Sequence, residues 1–155
     1  MAQSQTDACN SALQLVGAAT IMDITDNSRE ARACAVAYDS TRRAELRKKK
    51  WRFAMKRATL APDATAPNFE YAYAFTLPAD CLRVVLPAGN PDLDWSVEGR
   101  KILTNTMQSP FLGAVTQPAV TGAALFLRYV SDIEDTTQWD AAFYDLFGVA
   151  LALAI

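Results

Sequence analysis

Nine of the chain's 15 lysines and arginines fall between positions 42 and 57: Arg42, Arg43, Arg47, Lys48, Lys49, Lys50, Arg52, Lys56 and Arg57. Glu45 is the single acid among them, so this segment carries +8 and, with the whole chain at −2, the remainder carries −10. Concentrated cations of this kind bind anions: an acidic protein surface, or the phosphates of a nucleic acid. Glu45 has Lys49 at i,i+4, a pairing worth a few tenths of a kcal/mol, and cations near a helix C-terminus suit the macrodipole. Local pairing nevertheless leaves most of the positive charge without a partner, so the segment reads either as a solvated face or as a surface completed by another molecule.

Other chemistry is sparse. The chain has no histidine, which removes the commonest general base, the usual metal ligand and the Ser-His-Asp triad. The six glycines are scattered and assemble neither a G-x-G-x-x-G motif nor a P-loop. Cys9, Cys34 and Cys81 are odd in number and widely spaced, which predicts buried reduced thiols rather than a disulfide framework or a zinc site. Asp132, Glu134 and Asp135 form an acidic group, but Asp135 with Gln138 three places on is a helix-capping arrangement, and a calcium loop needs a fuller ligand set with a glycine. No catalytic, metal or cofactor site is expected.

Ser28 or Asn27 can cap a helix in which Ala31, Cys34, Ala35, Tyr38, Leu46 and the aliphatic stem of Arg42 share one face. The spacing predicts a helix from about 28 to 50, roughly 35 Å long. Its many alanines permit close approach of a partner helix. Ser4 or Thr6 opens a shorter helix that Gly17 can end, and Ile21, Met22 and Ile24 in the following link are expected to tuck under the bundle.

Beyond Pro62 and Pro67 the period changes to two. Phe69, Tyr71, Tyr73 and Phe75 predict a strand with an aromatic face, and CLRVVLP a second strand. Gly99-Arg100 between WSVE and KILT predicts a type II′ hairpin. Residues 107–118 read as a loop or irregular strand, and AALFLRYV as the closing strand. From about Thr137, Trp139, Phe143, Leu146, Phe147, Ala150 and Ala154 recur at helical spacing. The final GVALALAI is apolar all round, which predicts that another subunit, another domain or further chain covers it.

The N-terminal stretch lacks a basic n-region and a long apolar run, so neither a signal peptide nor a membrane anchor is expected. At 155 residues and 51% hydrophobic composition the chain suits one domain. The expected fold is α+β: a helical bundle built on the long central helix (about 28–50), a β-rich insertion (about 69–130) and a C-terminal helix (about 137–155). The expected organisation is a single domain, 1–155, with a helical body from 1–60 and 135–155 around an insertion at 61–134.

The succession ARACAVAYDSTRRAELR with WRFA, then FTLPADCLRV, then VEGRKILTN, then LRYVSDIEDTTQWDAAFYDLFGVALALA resembles the tail tubular protein A family. These are the head-to-tail adaptors, or tail accessory factors, of short-tailed phages. Where family members carry a short His-Pro-like element before the Trp, this chain has Lys48, Lys49 and Lys50. The resemblance covers nearly the whole chain. It implies a structural virion protein without turnover or cofactor, assembled in the host cytoplasm. Its partners would be other copies in a ring of twelve, the portal protein, the tail nozzle, and the fibres or spikes. Double-stranded DNA would pass through the channel without sequence-specific binding.

On that reading Arg42, Arg43, Arg47, Lys48, Lys49, Lys50 and Arg52 are the candidate interface with a neighbouring subunit or the portal, since ring contacts join two different surfaces of the subunit. An acidic remainder suits a channel that passes DNA without gripping it. The alternative is a nucleic-acid-binding module that sets Arg42–Arg57 on phosphates with Trp51 or Phe53 stacking on bases, against which stands the pI of about 5.1.

Overall fold

The computed structural model describes residues 4–87, 93–105, 111–112, 115–116 and 124–155. The architecture is α+β, with helices on either side of a multi-stranded insertion in the chain. The chain divides into two compact units, one formed by Met1–Ala54 with Asp132–Ile155 and the other by Met55–Ser131.

The first unit contains α1 (Gln5–Leu15), α2 (Arg29–Lys48) and α3 (Ala141–Ala152). Each helix starts on a side-chain cap: Ser4 Oγ accepts from Asp7 N, Ser28 Oγ from Ala31 N and Asp140 Oδ1 from Ala142 N. At Ser4 the cap is reciprocal, because the Asp7 carboxylate accepts from Ser4 N at 2.9 Å. α1 ends in a Schellman motif: Ala18 N donates to Leu13 O and Gly17 N to Gln14 O, with Gly17 at φ 72°. The last helix, expected from about Thr137, opens later: Thr136–Gln138 form a 3-10 turn capped by Asp135, and α3 begins only after a second cap at Asp140.

An aromatic cluster fills the middle of this unit. Phe143, fully buried, meets Trp139 edge-on at 5.0 Å, Trp51 at 5.1 Å and Phe53 at 5.2 Å, while Tyr38 meets Phe147 at 5.0 Å. The fourfold spacing of Trp139, Phe143, Phe147 and Leu151 brings these side chains to one side of the C-terminal segment. Truncating Phe143 to Ala would cost about 3–5 kcal/mol through lost burial and the cavity left behind. In the link after α1, the Asn10 amide grips Ile21 through both its N–H and its carbonyl, at 2.8 and 3.0 Å. Ile21 is buried as expected, but Met22 points to solvent, because Met22 N and Asp23 N both donate to the Asp26 carboxylate and turn the chain outward.

The second unit holds two three-stranded antiparallel sheets and a short ribbon. One sheet has the order β1 (Met55–Leu60), β8 (Leu125–Ser131), β3 (Cys81–Pro87); the other has β2 (Tyr73–Thr76), β5 (Lys101–Thr104), β4 (Trp95–Glu98). β6 (Phe111–Leu112) pairs with β7 (Val115–Thr116), and the rest of the 107–118 stretch lies outside the described residues. Phe75, Ile102, Leu125, Leu127 and Tyr129 form the core, with Ala58 and Leu60 against it.

Two segments fold otherwise than their local sequence predicts. Residues 55–60, placed in the helical body, are strand β1. Their alternate residues Ala58 and Leu60 face the core opposite Leu127 and Leu125, and this pairing with β8 overrides a run free of Gly and Pro. The aromatic strand expected from Phe69 begins only at Tyr73. β5, its partner, ends at Thr104, and beyond it the Asn105 side chain takes the place of a strand, accepting from Ala72 N and donating to Glu70 O. Glu70 turns the chain at φ 70°, and Phe69 is 80% exposed.

Candidate assembly interface

α2 delivers the basic segment, and the structure divides that segment by depth. Arg42 is 1% exposed. Its Nε donates to Asp132 Oδ1 at 2.8 Å, its Nη2 to Asp132 Oδ2 at 3.1 Å and its Nη1 to Asp39 at 2.6 Å, while Glu134 lies 3.7 Å away. Arg43 Nε donates to Asp132 Oδ2, the oxygen that also accepts from Arg42 Nη2, at 2.8 Å. A forked guanidinium matches a carboxylate geometrically, which satisfies donors that burial would otherwise strand. Burial pushes the Asp132 carboxyl up, but the hydrogen bonds from Arg42 and Arg43 and their charges outweigh this and hold it below the usual carboxylate range. Burial likewise disfavours the Arg42 charge, and the bonds from Asp132 and Asp39 more than restore it.

Arg42 is therefore removed from the candidate surface, because its charge is consumed inside its own unit. Asp132 is the partner of Arg42 that local spacing could not reveal: it lies 90 residues away in the sequence. The i,i+3 spacing of Asp39 and Arg42 was the one local sign of the network.

The remaining residues stay outward. Glu45 pairs with Lys48 rather than Lys49, since the helix ends at Lys48 and the extended Lys49 backbone carries its side chain elsewhere. Lys49 Nζ instead sits 5.5 Å from the Trp51 ring centroid, a cation–π contact. Trp51 Nε1 donates to Glu45 O at 3.2 Å, tying the turn after α2 back to the helix. Arg47 is exposed on the last turn of α2, and Lys50 and Arg52 are exposed beyond it. Among the described residues, Lys50 and Arg52 have no acidic partner within ion-pair distance.

The end of the basic segment belongs to the second unit. Lys56 donates to Asp80 at 2.8 Å, and Tyr129 Oη donates to the other oxygen of the same carboxylate at 3.0 Å. Arg57 stands directly opposite Arg128 across β1 and β8. The candidate sites thus resolve into a neutralised base at Arg42 and Arg43 and an exposed cationic strip at Arg47, Lys48, Lys49, Lys50 and Arg52.

Trp51 and Phe53 are half-buried and packed against Phe143, at centroid separations of 5.1 and 5.2 Å. Elsewhere in the first unit, Ser11, Gln14, Leu15, Tyr144, Asp145, Gly148 and Val149 line a groove between α1 and α3 of about 350 Å³. Leu15 and Val149 stand about half exposed beside it, and Leu153 is 87% exposed.

Among the described residues, no group of three or more His, Cys, Asp or Glu side chains is placed to hold a metal ion, and no helix is long and apolar enough to cross a membrane. No protein-family model matches the chain, and comparison with curated proteins found no match.

Proposed function

We propose that this protein is a structural subunit of a phage connector: a head-to-tail adaptor of the tail tubular protein A kind, assembled in a ring between the portal and the tail nozzle. The ordered succession of sequence pieces suggests the family. The observation that carries the interface is the division of the basic segment: Arg42 and Arg43 are bound to Asp132, while Arg47 and Lys48 on the last turn of α2 and Lys49, Lys50 and Arg52 just beyond it are exposed. Such a strip is suited to an acidic surface on a neighbouring copy or on the portal, where charge complementarity would set register. The exposed apolar side chains along the α1–α3 groove supply a second, different surface, as a closed ring of identical subunits requires. In the virion the protein would line the DNA path, help to attach fibres or spikes, and carry out no turnover.

The deciding experiment is negative-stain electron microscopy of the protein alone and mixed with the portal protein encoded in the same genome. A ring of added density on one end of the portal is the expected result. Absence of binding, together with DNA retention that falls steeply with salt, would overturn it in favour of a nucleic-acid-binding module.

A further inference from the structure

In the second unit, Phe69, Glu70, Tyr71, Ala74, Glu98 and Lys101 line part of a groove of about 460 Å³. Glu70 is the centre of a γ-turn, with Tyr71 N donating to Phe69 O at 2.9 Å and φ 70° at Glu70. The turn leaves Phe69 and Glu70 exposed at the groove. Glu98 is exposed at the end of β4, opposite Lys101 of β5, but the Lys101 ammonium lies 2.8 Å from Asp63. Among the described residues, Glu70 and Glu98 have no cationic partner within ion-pair distance.

We propose that this groove receives the turn after α2 of a second copy of the chain, with Lys50 and Arg52 set on Glu70 and Glu98 and the Phe69 ring against one of the two cations. The inference rests on the adaptor reading and takes it further, naming the neighbouring copy rather than the portal as what the basic strip meets.

Charge complementarity selects the occupant. The groove offers two exposed carboxylates without a cation, and the turn offers two exposed cations without a carboxylate among the described residues. A guanidinium or ammonium donates to a carboxylate through its N–H groups and lies favourably against an aromatic ring, so Phe69 beside Glu70 suits the same side chains. Lys101 does not compete for the site, because Asp63, which also accepts from Thr76 N and Oγ1, holds its charge. The same two carboxylates repel the phosphates of a nucleic acid, which speaks for a protein in the groove.

Turn and groove are different surfaces of one chain, carried by different units. Every copy therefore has one of each, and copies join head to tail, as in a ring. Exposed ion pairs of this kind steer encounter and set register more than they add affinity, and salt screens them. Assembly through this contact should accordingly weaken as ionic strength rises.

The test uses full-length protein, half of it isotopically heavy, assembled on the portal encoded in the same genome and treated with a carbodiimide, which joins carboxylates to amines in contact. The expected result is an amide link between Lys50 and Glu70 or Glu98, found by peptide mass spectrometry in mixed heavy–light pairs. Glu70→Lys with Glu98→Gln should abolish the ring on the portal, and Glu70→Asp with Glu98→Asp should keep it. Glutamine is chosen at 98 because a lysine there would stand opposite Lys101. If the reversed variant melts early, the link in the wild-type protein decides. A ring on the portal that lacks this link and persists in the reversed variant would overturn the contact and leave the adaptor reading intact. Links from Lys50 to the portal, or within one copy only, would also overturn it. Absence of any ring on the portal would remove the adaptor reading and this contact with it.

Discussion

The buried guanidinium of Arg42 is held through two hydrogen bonds by the carboxylate of Asp132, the first residue after the β-rich insertion. The bond joins the middle of α2 to the point where the chain returns to the helical unit. Asp132→Ala would strand a charge that is 1% exposed, and the expected loss is about 3–5 kcal/mol in chemical denaturation. Asp39→Ala removes the more exposed partner and should cost about 1 kcal/mol or less. Similar losses for the two variants would show that Asp132 is not the anchor.

The same pair sets an acid limit. Asp132 has a folded pKa held below its unfolded value of about 3.9. Its contribution is therefore fully present above about pH 4 and is lost as pH falls through the depressed folded value. The stability difference between wild type and Asp132→Asn should be constant at neutral pH and shrink on acidification below about pH 4. A difference that stays level down to acid unfolding would exclude this linkage.

Tyr38 carries a buried hydroxyl that has no hydrogen-bond partner, while its ring packs against Trp139 and Phe147. Removing an unsatisfied buried polar atom while keeping the ring relieves a desolvation cost of about 1–3 kcal/mol. Tyr38→Phe should accordingly hold or raise the melting temperature. A clear fall would mean that the hydroxyl is satisfied in solution.

Gly99 takes φ 58° at the first position of the two-residue turn between β4 and β5, and a Cβ there would meet no atom within 4 Å. The cost of substitution is therefore backbone strain rather than collision. Gly99→Val should destabilise most, by about 1–3 kcal/mol, and Gly99→Asn least, because Asn tolerates the left-handed region. Equal thermal stability of all three proteins would remove the positive-φ assignment.

Lys50 and Arg52 are exposed, so reversing both to Glu should leave the stability of the isolated protein within about 0.5 kcal/mol. On the adaptor reading the same double variant should lose portal-dependent ring formation. A variant that folds and assembles normally would exclude these side chains from the interface.

The local features of the chain were legible because short-range geometry governs them. Caps at Ser4, Ser28 and Asp135, the Gly17 terminus, the Gly99-Arg100 hairpin and the helix–insertion–helix order each depend on residues within a few positions of one another. The concentration of charge in 42–57 was equally plain. Tertiary structure decided what that charge does, because the carboxylate that neutralises Arg42 and Arg43 is distant in sequence, as are Lys56 and Asp80. It also turned 55–60 into a strand through pairing with β8, and started the aromatic strand only at Tyr73, opposite the last residue of β5. Periodicity and capping report what a segment can become; which of two cations is buried and which is left outward depends on the surface that folds against it, and that surface comes from elsewhere in the chain.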